Sequence, residues 1–194
     1  MENKKQLRQK LIKARKSLPE QEWQDKSRAL CQWLNQYLKN SPALGNGGTI
    51  LTYLHFRQEP NLDPLFNLRD YRWAIPRCVE NDLSWHFWQS GDALVKGAFG
   101  IREPLASAPI CAPDTVDLIL VPAVACDRRG YRLGYGGGFY DRLFEQPQWR
   151  EIPKVGIIFD FAFVSEVPAD PWDVPLDGVC TDWGWRLEID MKWH

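Results

Sequence analysis

The run Leu118-Ile119-Leu120-Val121-Pro122 constrains this chain more than any other segment. Consecutive apolar residues without polar alternation read as a strand covered on both faces, the signature of a parallel sheet between helices. Behind it come a turn-rich loop, the cluster Gly134-Tyr135-Gly136-Gly137-Gly138 and a helix through Leu143. In an open α/β sheet, ligands bind beyond the carboxyl ends of the strands, where such a loop sits.

The rest of the chain keeps the same alternation. Residues 4–16 read as a helix with Leu7, Leu11 and Ile12 on one side and cations around the rest. Ser17-Leu18-Pro19-Glu20 has the form of a capping box opening a second helix, which runs to about Leu38 with Trp23, Leu30, Trp33, Leu34, Tyr37 and Leu38 at helical spacing. Pro42 and Gly45-Asn46-Gly47-Gly48 end it. Thr49–Leu54, Arg72–Ile75, Leu83–Trp88 and Lys154–Phe159 read as further strands, Leu65–Leu68 and Ser90–Val95 as short helices. The expectation is an α/β fold with a mostly parallel sheet flanked by helices, in one domain spanning residues 1–194.

Composition excludes several classes. At 44% hydrophobic and 25% charged the chain is neither disordered nor membrane-spanning, and no apolar run approaches a membrane span. Met1-Glu2-Asn3-Lys4-Lys5 lacks the apolar stretch of a secretory signal, so the expected location is the cytoplasm. The scattered Cys31, Cys78, Cys111, Cys126 and Cys180 form no C-x-x-C, and His55, His86 and His194 form no H-E-x-x-H. Neither a disulfide framework nor a zinc site is expected. A net charge of −1 argues against a nucleic-acid partner. Cations crowd the first helix (Lys4, Lys5, Arg8, Lys10, Lys13, Arg15, Lys16), as a solvated face or as phosphate ligands.

The glycine cluster serves either a tight, closely packed turn or an anion cradle of backbone N–H groups. Arg132 and Arg142 on its flanks, and Asp141 one turn into the helix, favour the cradle, with the carboxylate placed to hold Mg²⁺ beside phosphates. The spacing matches neither a Walker loop nor a dinucleotide fingerprint: Phe139 stands where the latter needs its third glycine.

The run Arg132-Leu133-Gly134-Tyr135-Gly136-Gly137-Gly138-Phe139-Tyr140-Asp141 resembles the signature of the 5-formyltetrahydrofolate cyclo-ligase family. The resemblance extends over nearly the whole chain. It takes in Lys4-Lys5-Gln6-Leu7-Arg8, Tyr53–Glu59, Ile75-Pro76-Arg77, Gly100-Ile101-Arg102-Glu103-Pro104 and Trp172-Asp173-Val174-Pro175-Leu176-Asp177. It implies an ATP- and Mg²⁺-dependent cyclisation of 5-formyltetrahydrofolate to the 5,10-methenyl form, with ADP and phosphate released. It also implies a fold similar to that of sugar-phosphate isomerases and CoA transferases, no nucleic-acid or membrane partner, and a monomer.

By residue, the resemblance assigns ATP to Lys4, Lys5, Arg8 and Arg132 and to Leu133, Gly134, Tyr135, Gly136, Gly137, Gly138, Phe139 and Tyr140. It assigns folate to Leu54, Glu59 and the stretch Tyr135–Phe139, catalysis to Arg132 and Tyr140, and the metal to Asp141 and Asp177. Trp88 is a stacking candidate better read as core. Eukaryotic relatives often carry lysine where this chain has Gly137, so backbone or another cation must supply that contact here. The rival readings are a sugar-phosphate isomerase-like enzyme and a non-catalytic nucleotide- or folate-binding module.

Overall fold

The computed structural model describes residues 3–42, 44–45 and 47–187. Met1, Glu2, Ala43, Asn46 and the tail from Glu188 to His194 lie outside the described residues. The helices are α1 (Lys4–Lys16), α2 (Glu20–Asn40), α3 (Phe139–Glu145) and α4 (Pro147–Arg150). The strands are β1 (Thr49–Leu51), β2 (Arg72–Val79), β3 (Asp82–Phe87), β4 (Leu94–Lys96), β5 (Arg102–Pro104), β6 (Leu118–Pro122), β7 (Ala125–Cys126), β8 (Arg132–Leu133), β9 (Lys154–Ile157), β10 (Gly178–Thr181) and β11 (Gly184–Leu187).

The main sheet runs β11-β10-β9-β6-β1-β2-β3. Its five inner strands are mutually parallel, and β3 and β11 pair antiparallel at the edges. Side-chain alternation along β6 explains the unbroken apolar run. Leu118 and Leu120 join a core with Leu30, Leu34 and Leu38 of α2, while Ile119 and Val121 join Leu143, Phe144 and Trp149 of α3 and α4 on the other face. A third, smaller core packs Leu7 and Leu11 of α1 against Val124, Ala125 and Leu133 of the β7–β8 hairpin. Helix α1 is thereby fixed to the segment that leads into the glycine cluster. Trp88 packs beside the α2 core, edge-on to Phe66, as expected of a core residue.

Four local expectations need correction. The reciprocal capping box is at the start of α1, where Asn3 accepts from the Gln6 N–H at 2.9 Å and Gln6 from the Asn3 N–H at 3.2 Å. Ser17 instead closes that helix, its hydroxyl donating to the Ala14 carbonyl, and α2 opens after Pro19 without a side-chain cap. In place of the helix expected at Leu65–Leu68 there is a single 3₁₀ turn, Asp63–Asn67. Ser90–Val95 forms no helix, because Leu94–Lys96 pairs antiparallel with Arg102–Pro104, and so short a helix has too few bonds to repay its nucleation. The strand expected over Thr49–Leu54 ends at Leu51, and the following residues leave the ladder to line a cleft.

Candidate active site

Strand order reverses between β1 and β6: from β1 the chain passes to β2 on one side, and β6 lies on the other. A crevice opens at the carboxyl ends of such a pair. Here it is a cleft of about 500 Å³ that reaches from Tyr53 and Leu54 beyond β1, past Pro122 at the end of β6, to Gly134–Asp141.

One wall belongs to α1. At 100° per residue, Lys4, Arg8 and Arg15 fall within 40° of one another, beside Leu7 and Leu11. Lys4 and Arg8 line the cleft, and the Arg8 Nε–H donates to the Gly134 carbonyl at 2.7 Å. Arg15 is buried, donating to the Tyr135 hydroxyl and, at 3.1 Å, to the Arg57 carbonyl. Lys5 is a quarter-turn away; it is exposed and does not line the cleft, so the structure does not bring it to the site expected for it.

The glycine segment is held at both ends. Upstream, the fully buried Asp127 carboxylate accepts the N–H groups of Arg129, Tyr131 and Val167 and the Arg129 guanidinium. This fixes the β7–β8 hairpin. Gly130 sits at φ +81°, and a Cβ there would stand 2.4 Å from the Leu176 carbonyl oxygen, which leaves no room for a side chain. Downstream, Gly138 adopts the left-handed conformation at φ +70° and opens α3, where Tyr140 and Asp141 follow.

Arg132 occupies the centre of this wall. Its side chain is only 5% exposed. It donates to the Val174 carbonyl at 3.0 Å, pairs with Asp141, and lies over the Phe144 ring. Through Val174 it also draws in the segment that carries Asp173. The Lys4 ammonium pairs with Asp170 at 2.6 Å and Asp173 at 2.8 Å. Burial works against ionisation of Asp173, yet the Lys4 contact and the Asp170 N–H outweigh it and hold the carboxyl below the usual range.

Asp141 and Asp173 therefore share the cleft, and Asp177 does not. Asp177 accepts from the Lys154 backbone at 2.9 Å and its ammonium at 3.1 Å, at the start of β9 and β10. That is the opposite end of the parallel strands from the glycine segment. Of the two carboxylates expected at the metal, Asp141 lines the cleft and Asp177 does not; Asp173, four residues earlier in the same motif, lines it with Asp141.

The other wall is more apolar. Leu54, Pro76, Leu83 and Ile101 line it, together with Glu59. Glu59 is not an exposed loop acid but is 4% exposed, and its Oε2 accepts the Phe56 N–H at 2.9 Å. Burial raises its pKa; Arg15, the Phe56 N–H and the Tyr135 hydroxyl offset part of that. Burial likewise lifts the Tyr140 phenol far above its ordinary value, so it stays protonated. The Cys78 thiol is pushed up to about 11 by burial and by Glu103, which makes it a poor nucleophile.

Sequence reasoning missed Arg15, Arg57, Arg102, Asp127, Trp172 and Asp173 as residues that form or hold the cleft. Arg15 was detectable as the cation that continues the Leu7–Leu11 stripe. Asp173 had no such signal, because spacing alone does not separate it from Asp177.

The sequence model of the 5-formyltetrahydrofolate cyclo-ligase family matches residues 1–182. The chain is 36% identical to the 5-formyltetrahydrofolate cyclo-ligase of Mycolicibacterium smegmatis over 92% of its own length and 93% of that protein. It is 31% identical to the Escherichia coli enzyme of the same name, covering 71% of this chain and 81% of that one. The structure of Aquifex aeolicus 5,10-methenyltetrahydrofolate synthetase superposes with a TM-score of 0.77 at 34% identity, covering 98% of this chain and 99% of that one. With family sequence, whole-chain relatives and α/β architecture in agreement, this chain belongs to the 5-formyltetrahydrofolate cyclo-ligase family.

Proposed function

We propose that the cleft cyclises 5-formyltetrahydrofolate to 5,10-methenyltetrahydrofolate at the expense of ATP, releasing ADP and phosphate. The observation that carries the reading is the pairing, in one cleft, of a cationic glycine-lined wall with an apolar wall that contains a buried carboxylate. The first suits a triphosphate, the second a flat heterocycle with adjacent N–H donors.

In this reading Lys4, Arg8 and the backbone of Leu133–Tyr140 hold the ATP phosphates, while Leu54, Glu59 and the Tyr135–Phe139 face hold the folate. The γ-phosphoryl passes to the formyl oxygen and converts a poor leaving group into a phosphate. N10 then attacks the activated carbon, the carbon–oxygen bond breaks and phosphate departs. Arg132 steadies the charge that develops on the transferring group and keeps Asp141 in place. Tyr140, neutral and half-buried beside them, offers a hydrogen-bond donor rather than a base. No protein nucleophile is required. The apolar wall keeps water from the activated intermediate.

Asp141 and Asp173 fit a hard divalent cation such as Mg²⁺: both are carboxylates, and no group of three or more His, Cys, Asp or Glu forms a protein-only cage among the described residues. Mg²⁺ characteristically takes one or two carboxylates and completes its shell with phosphates and water. When bound it supplies neutralisation of phosphate charge.

Mixing the protein with 5-formyltetrahydrofolate and MgATP should produce the near-ultraviolet absorbance of the methenyl product, and excess EDTA should abolish it. Full activity in EDTA would overturn the metal assignment, and no product under any condition would overturn the reading.

Glu59 separates a folate enzyme from a nucleotide-binding module. If its carboxylate accepts the pterin N–H groups, Glu59→Gln turns one acceptor toward a donor, and the folate KM should rise about tenfold or more, a change of roughly 1.4 kcal/mol. The folded-state pKa lies above the unfolded value, so ionised Glu59 destabilises the apoprotein as pH rises through that interval. The variant's melting temperature at neutral pH should therefore hold or increase. The wild-type folate KM should also climb as pH falls, starting above the ordinary carboxylate range, and Glu59→Gln should lose that limb. An unchanged KM with an unchanged pH profile would remove Glu59 from the pterin site.

A further inference from the structure

Alone among the cations of α1, Arg15 is buried. No ion pair joins it to the equally buried Glu59 among the described residues. Its guanidinium donates instead to the Tyr135 hydroxyl and to the Arg57 carbonyl, and lies 5.5 Å from the Tyr135 ring centre. The Tyr135 hydroxyl is in turn in hydrogen-bond contact with the Glu59 carboxylate. Burial raises the Tyr135 phenol above its ordinary value, so it keeps its proton, accepts from Arg15 and donates to Glu59.

An intervening phenol has a chemical advantage over a direct pair. An ionised carboxylate offers about four acceptor sites, and a bidentate guanidinium would occupy both of its oxygens. Here the Phe56 N–H takes one site on Oε2 at 2.9 Å and Tyr135 takes another, which leaves roughly two for a ligand. The Glu59 backbone is fixed separately, because the Trp23 indole N–H of α2 donates to its carbonyl at 2.9 Å. Arg57 and Gln58, the two residues before Glu59, lie at φ +51° and +55°, a region that non-glycine residues resist. Arg15 on the Arg57 carbonyl and Glu59 on the Phe56 N–H hold that turn. Tyr135 itself comes from the glycine wall, which Arg8 grips one residue earlier at the Gly134 carbonyl.

On the reading of Glu59 as the pterin's acceptor, we infer that Arg15 and Tyr135 are its positioning residues: the phenol links guanidinium to carboxylate, orients it, and leaves its remaining acceptor sites to the pterin. The same link favours the ionised carboxylate against the desolvation that opposes it. The other groups that face Glu59 are His55 and Tyr53 from the segment after β1 and Tyr140 from α3. Both phenols stay protonated, raised by burial, so His55 is the one competing titration.

The test measures the folate KM against pH in wild type, Tyr135→Phe, Arg15→Gln, Arg15→Lys and Glu59→Gln, and in the Tyr135→Phe/Glu59→Gln double variant. Tyr135→Phe decides it, because the ring and its contact with Arg15 remain while Arg15 still holds the Arg57 turn. Its folate KM at neutral pH should rise about fivefold, with kcat changing less. The climb in KM as pH falls should begin about one pH unit higher than in wild type. Arg15→Gln should shift the profile in the same direction, and Arg15→Lys should restore part of it. In the Glu59→Gln background, Tyr135→Phe should change the folate KM by less than about twofold, as expected of residues acting in series. A wild-type pH profile in Tyr135→Phe, or an equal KM effect in both backgrounds, would overturn the positioning role and leave Glu59 as the pterin's acceptor. A climb that persists in Glu59→Gln would assign the titration to His55 and overturn it as well. Wild-type KM and profile in Glu59→Gln would remove the pterin reading and the positioning pair together.

Discussion

Arg132→Ala should raise the KM for ATP at least tenfold and lower the melting temperature, while folate affinity measured without nucleotide changes little. The guanidinium is almost fully buried and bridges three elements: the Val174 carbonyl, the Asp141 carboxylate and the Phe144 ring. Breaking a buried ion pair by removing one partner costs about 3–5 kcal/mol when the remaining charge stays desolvated. The Asp141 side chain is 36% exposed and recovers part of its hydration. A loss of about 2–4 kcal/mol is therefore expected, or roughly 6–12 °C for a chain of this size. Arg132→Lys keeps the charge but not the fork, so it should fall between wild type and alanine. An unchanged ATP KM in a folded Arg132→Ala protein would remove the residue from the nucleotide site.

Asp173→Asn and Asp177→Asn should fail in opposite ways. The first removes a carboxylate from the cleft, and the Mg²⁺ concentration for half-maximal activity should rise at least tenfold, equivalent to about 1.4 kcal/mol. Its fold should survive, because Lys4 retains Asp170. The second variant should keep the wild-type Mg²⁺ requirement but lose stability. The Lys154 side chain is 5% exposed, and Asp177 is its only carboxylate partner among the described residues. The Arg150 and Ile152 carbonyls still accept from the ammonium and moderate the loss to about 1–3 kcal/mol. Reversed outcomes would restore the Asp141–Asp177 pair.

That contrast shows where the sequence was informative. Helix α1 is legible because Leu7, Leu11 and Ile12 mark its stripe and Ser17-Leu18-Pro19 its end, whereas its Asn3 cap emerges only in the fold. Strand β6 is legible because only two-sided burial permits five apolar residues in a row. The glycine segment announced its own chemistry through composition and flanking charge. Short elements were harder: Leu94–Lys96 carries little local preference, and pairing with Arg102–Pro104, several residues on, decides its state.

The site residues divide along the same line. Lys4, Arg8, Arg132 and Asp141 lie in or beside self-contained motifs, and all four reach the cleft. Asp173 and Asp177 are equivalent in composition and differ only in which end of the sheet they face. That depends on where the chain crosses the hairpin at Gly130 before β10 begins, a tertiary fact with no local signature. Arg57 is hidden for a related reason: nothing in Arg57-Gln58 predicts two successive left-handed residues without glycine. The clamp from Arg15 and Glu59 that makes the turn possible is assembled only in the fold.

The central claim is that one cleft couples phosphoryl transfer to ring closure on the folate. Inorganic phosphate and methenyl product should be measured together in one reaction, with 5-formyltetrahydrofolate limiting and MgATP in excess. Equal amounts of the two are expected, with no phosphate without the folate and no product without ATP. Phosphate released steadily without folate, or product formed without ATP, would contradict it.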